Sequence, residues 1–85
     1  MDPYKIIKHP LSTEKSIRLM NDNNKLVFVV DMKSNKSDIK QALEQMFKVN
    51  IESVNTLVVN GQKRAYVKFS NETPAIDIAT QMGFM

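Results

Sequence analysis

The sequence predicts a small α+β domain, a ferredoxin-like antiparallel sheet packed with three helices, and three observations carry that prediction. Lys25 to Met32 alternates with a period of two and is apolar on both faces, as a central strand should be. Asn60-Gly61, the dipeptide of a tight hairpin turn, separates two further alternating runs. Ile39, Ala42, Leu43, Met46 and Phe47 follow the i, i+3, i+4, i+7, i+8 stripe of a core-facing helix. With 85 residues the chain has room for one domain, expected over 1–85.

The elements follow in order. Lys5 to Lys8 reads as a short extended segment ending at His9-Pro10, since proline disfavours helix in the residue before it. Ser12 is the expected N-cap of the first helix, with Glu14 in its first turn and Ile17 and Met20 toward the core. Asn21 to Asn24 signals a turn. In the strand that follows, Leu26, Phe28, Val30 and Met32 share one face, and Val27 and Val29 the other. Asn35 and Asp38 form a capping-box-like start for the second helix. Ile51 to Val59 and Arg64 to Ser70 are the hairpin strands. On the latter, Ala65, Val67 and Phe69 alternate with Arg64, Tyr66 and Lys68. Thr73-Pro74 opens a third helix with the stripe Ala75, Ile78, Ala79 and Met82, and Gly83 is its expected C-cap. The pattern leaves the strand order open beyond the hairpin pair.

Composition narrows the function classes. The absence of cysteine excludes a disulfide framework, a thiolate zinc site and a cysteine nucleophile, and fits a reducing compartment. No apolar run approaches the roughly 20 residues of a membrane span, and Met1-Asp2-Pro3-Tyr4 begins no signal region. A core of this size supplies only about 3–5 kcal/mol, so the chain is expected either to be marginally stable alone or to gain stability from a bound partner. Residues 1–68 hold all twelve lysines and arginines against seven acids, while 69–85 hold only Glu72 and Asp77. A basic body with an acidic, apolar last element is compatible with phosphate contacts.

Catalysis finds little support. His9 is the one histidine and has no recognisable acid or nucleophile partner. Gly61 and Gly83 are isolated, so there is no phosphate loop, and no spacing suggests a metal site; neither enzyme activity nor a cofactor is expected. Nucleic-acid binding fares better. Arg64, Tyr66 and Lys68 on one strand face combine phosphate-binding charge with a ring able to stack on an unpaired base. Lys63 is expected to extend this patch into the turn, and Asn55 and Thr56 to add polar contacts. A solvated sheet face would also require polar residues. Ala65 to Phe69 matches the later half of an RNA-recognition-motif signature, without its first aromatic or its preceding glycine.

Five segments, in order, resemble the large-subunit ribosomal protein family L-twenty-three. They are His9-Pro10-Leu11-Ser12-Thr13-Glu14-Lys15-Ser16, Asn24 to Asp31, Asn35 to Ala42, Phe47-Lys48-Val49 with Val54 to Leu57, and Lys63 to Val67. The hairpin connection is only Asn60-Gly61-Gln62-Lys63, where bacterial members carry a long basic loop that reaches into the exit tunnel. The closing segment Ala75 to Gly83 looks archaeal.

The resemblance implies a cytoplasmic, ribosome-bound scaffold that binds large-subunit ribosomal RNA beside the polypeptide exit tunnel. It implies a neighbouring ribosomal protein, L-twenty-nine. It also implies docking of the signal recognition particle, chaperones or the translocation channel, with no direct membrane insertion. The RNA-binding residues it carries over are Lys8, His9, Thr13, Lys15, Lys36, Lys40, Asn55, Thr56, Lys63, Arg64, Tyr66 and Lys68. Glu14 matches the position used for factor docking. The alternatives are a free single-stranded-RNA binder and a small regulatory protein-interaction domain.

Overall fold

The computed structural model describes residues 3–11 and 13–81. In chain order the elements are α1 (Pro3–Ile6), β1 (Ile7–Pro10), α2 (Glu14–Asn23), β2 (Lys25–Val30), α3 (Lys36–Phe47), β3 (Ile51–Val59), β4 (Gln62–Phe69) and α4 (Ala75–Gln81). The four strands form one antiparallel sheet in the order β1-β2-β4-β3. β2 is therefore interior, as its two apolar faces require. Leu26, Phe28 and Val30 from β2, with Ala65, Val67 and Phe69 from β4, share a core with Ile39, Ala42 and Leu43 of α3 and Ala75, Ile78 and Ala79 of α4. Val27 and Val29, on the reverse face of β2, are buried as well.

Several boundaries differ from the sequence expectation. Lys5 and Ile6 belong to a turn of helix, and only Ile7 onward is extended. Ile6 and Ile7 are both buried. Consecutive residues of a strand point to opposite faces, so breaking the strand between them lets both reach the core. Ser12 lies outside the described residues, and the N-cap of α2 is Thr13. Its hydroxyl accepts the Ser16 N–H at 3.2 Å, and the Ser16 hydroxyl accepts the Thr13 N–H at 2.8 Å. This reciprocal box turns Ser16 inward, and Met20, one turn later, packs on the core. Ile17, about 100° around the helix from Ser16, is left 41% exposed.

α2 also runs through the expected turn to Asn23 and ends at Asn24, in the left-handed region with φ 55°. Asparagine tolerates that conformation better than most residues. β2 stops at Val30, and Met32 sits exposed in the following turn. α3 starts as expected: Asn35 accepts the Asp38 N–H at 2.8 Å, and Asp38 accepts the Asn35 N–H at 3.3 Å. The Asn60-Gly61 turn has φ 52° and 75°, positive at both positions as a type I′ hairpin needs. β4 consequently begins at Gln62, before Arg64, and ends at Phe69. α4 begins at Ala75, after Thr73-Pro74, and its first N–H is capped by the side chain of Asn24. Met82 and Gly83 lie outside the described residues.

Candidate nucleic-acid interface

Register decides which polar side chains meet. Residues directly opposite on paired strands share a face. On the face turned away from the α3–α4 core, His9, Val29, Arg64 and Leu57 form one row across all four strands. Val27, Tyr66 and Asn55 form the next, and Lys25, Lys68 and Ser53 the third. The three residues Arg64, Tyr66 and Lys68 are half-buried, while Ser53, Asn55 and Leu57 beside them are exposed.

The grouping of Arg64, Tyr66 and Lys68 on one face thus holds; Asn55 joins it from β3, and the structure adds Lys25, which the sequence does not single out. The signal available was the period of two counted back from Val29 and Val27. Choosing its partner required the β2–β4 register, which no local pattern supplies.

Electrostatics on this face is one-sided. Lys25 and Lys68 stand directly opposite each other, an arrangement that costs stability between like charges. Glu52 approaches Lys68 at 3.7 Å, with both side chains well exposed, so it offsets the repulsion only weakly. Arg64 is oriented by Gln62, whose Oε1 accepts its Nε–H at 3.1 Å. An exposed amide, a phenol and three cations in register can hold phosphates and a stacked base.

Two residues move off this face. Thr56 pairs with Ala65 and so points toward the helical side, opposite to Asn55. Adjacent strand residues cannot share a face, so the expected polar pair is split. Lys63 alternates with Arg64 in the same way. Its ammonium donates to the Ser34 carbonyl at the approach to α3, and it does not extend the patch.

The remaining positions fall into separate groups. The register shifts by one residue between Ile7 and His9, which leaves Lys8 as the extra residue of a bulge beside His9. Thr13, Glu14 and Lys15 occupy the exposed start of α2, where Glu14 accepts a 3.2 Å bond from Arg18 one turn later. Lys36 and Lys40 are exposed one turn apart on α3. Among the described residues no group of three His, Cys, Asp or Glu could hold a metal ion, and no helix is long and apolar enough to cross a membrane.

Comparison with known proteins agrees with the sequence motifs. Residues 5–80 match the family model described as Ribosomal protein L23. Over 84 residues, covering 98% of each chain, the sequence is 50% identical to the large ribosomal subunit protein uL23 of the archaeon Methanothermobacter thermautotrophicus.

Proposed function

The chain belongs to the ribosomal protein L23 family, and from that premise we propose that it is a structural constituent of the large ribosomal subunit, held there by ribosomal RNA on the second face of its sheet. The observation that carries this reading is the cross-strand pair Lys25–Lys68 beside Tyr66 and Arg64. Two lysines placed opposite each other are unfavourable in the free chain and favourable once a phosphate lies between them. Tyr66 supplies a stacking surface and Asn55, opposite it, an amide for a base or ribose edge.

In this reading all 85 residues act as one RNA-binding domain, ribosome-bound in the cytoplasm. Its role is scaffolding, which uses charge and shape and needs no catalytic group or cofactor. His9 lies at the β1 edge of this face, and Lys8, Thr13, Lys15, Lys36, Lys40, Thr56 and Lys63 lie away from it on a body 29 × 27 × 22 Å, so RNA contacting them wraps several sides. The family resemblance supports a position beside the exit tunnel next to L-twenty-nine. Glu14, exposed at the start of α2, then serves incoming signal-recognition, chaperone or translocation factors.

Binding of the purified chain to large-subunit ribosomal RNA, followed across a salt titration, tests this. Affinity should fall by orders of magnitude between low and moderate salt, with a log–log slope near the number of phosphates engaged. Affinity that is flat with salt would reject the RNA-scaffold reading in favour of a protein-interaction domain.

A further inference from the structure

A cleft of 320 Å³ opens at the hairpin end of the sheet, between the β1 bulge, the end of β2 and the turn into β4. Small-ligand sites begin at about 300 Å³. Val29 and Val30 are buried behind it, so Met32 supplies its accessible apolar surface, and Lys8, His9 and Lys63 add basic groups around it. We propose that this cleft takes one unpaired nucleotide of ribosomal RNA, its base against His9 and Met32 and its phosphate between Lys8 and Lys63. The inference deepens the RNA-binding reading above and rests on it.

Charge comes first. Among the described residues, no carboxylate pairs with Lys8, His9 or Lys63. The nearby Asp31 has its Oδ1 engaged by the Lys33 N–H at 3.3 Å, within its own turn. Among the described residues the basic groups of the cleft thus make no ion pair.

Preorganisation comes second. The Lys63 ammonium is held by the Ser34 carbonyl, and the Ser34 hydroxyl donates to the Asp31 carbonyl at 2.6 Å. A lysine fixed before its ligand arrives loses less rotamer entropy on binding. An ammonium has three donors, so two remain for a phosphate.

The mixed lining selects a nucleotide over a bare anion. Met32 is 48% exposed, apolar surface that a base would cover. The exposed imidazole of His9 can stack on that base. Gln62 also lines the cleft; with its Oε1 taken by Arg64, its amide N–H groups remain to meet a base edge. At Gly61 an added Cβ would meet nothing within 4 Å, so the turn leaves the entrance open.

The test uses the isotope-labelled full chain at low salt, titrated with adenosine 5′-monophosphate, ribose 5-phosphate and inorganic phosphate. The nucleotide should shift the amides of Met32, Gly61, Gln62 and Lys63 and saturate on the order of fivefold below ribose 5-phosphate. His9→Ala should abolish that difference, and Lys8→Gln should weaken all three probes; both positions are exposed, so the variants should fold. Equal affinity for nucleotide and ribose 5-phosphate, or shifts confined to Arg64–Lys68, would overturn the proposal. In parallel, His9→Ala should weaken binding to large-subunit ribosomal RNA on the order of tenfold. Wild-type affinity in that variant would reject the cleft and leave the sheet-face reading standing. Failure of the unmodified chain to bind the RNA would reject both.

Discussion

The side-chain carbonyl of Asn24 accepts the backbone N–H of Ala75 at 2.6 Å, so the residue that ends α2 also caps α4. Its amide nitrogen lies 3.2, 3.1 and 2.9 Å from the carbonyls of Phe69, Ser70 and Thr73. One half-buried side chain thus ties the end of β4 and the start of α4 to the α2–β2 junction. Asn24→Ala should cost about 2–3 kcal/mol, from several lost hydrogen bonds and an alanine forced into the left-handed region. Asn24→Gly relieves the backbone part alone and should fall between alanine and wild type. Urea unfolding gives the order, and an alanine variant with an unchanged midpoint would refute the tether.

The Lys25–Lys68 pair leads to effects of opposite sign on stability and binding. Lys25→Glu replaces a repulsive cross-strand pair with an attractive one, and should stabilise the free chain by about 0.2–1 kcal/mol. The same change should weaken RNA binding and lower the salt slope by at least about one. A variant that is more stable and binds RNA unchanged would show that the pair faces solvent only.

Tyr66→Ala removes the ring between two cations. RNA affinity should drop by about 1–3 kcal/mol, with the salt slope unchanged because no charge is lost. Lys33→Gln, in the exposed turn after β2, should lower affinity far less. Filter binding at two salt concentrations separates the cases. Equal affinities for wild type and Tyr66→Ala would mean that the phenol is only a solvated side chain.

Glu14 sits in the first turn of α2 and pairs with Arg18, the two side chains 87% and 74% exposed. A pair so exposed contributes little to stability. Glu14→Gln should therefore change the melting temperature only slightly, through the weak dipole interaction. Docking of a signal-recognition or chaperone factor to assembled ribosomes should weaken with Gln and weaken further with Lys. Identical factor affinity for all three, on ribosomes of normal subunit content, would sink the docking role and leave RNA binding untouched.

Element types were readable wherever local chemistry decides them. The Asn35–Asp38 box, the Asn60-Gly61 turn and the Ala65–Val67–Phe69 alternation depend on spacing alone, and the structure reproduces each. The start of α2 shows where local signals compete. Ser12 and Thr13 are both good caps, but only Thr13 places a serine at the third helical position to close the box.

The α+β class, the hairpin, the basic bias and the cation–aromatic alternation of β4 can be read from local residue order, because periodicity and turn chemistry act over a few residues. The family motifs were legible for the same reason, as short runs in a fixed order. Tertiary structure decided what meets across the sheet. It set Lys25 against Lys68, separated Thr56 from Asn55, sent Lys63 to Ser34, and brought Lys8 and His9 to the hairpin end. Strand order and register are fixed by burial of the whole core, and a slip of one residue would exchange the two faces of the strand that slips. Asn24 reaching Ala75, 51 positions away, belongs to the same class of fact: a cap whose partner is chosen by packing.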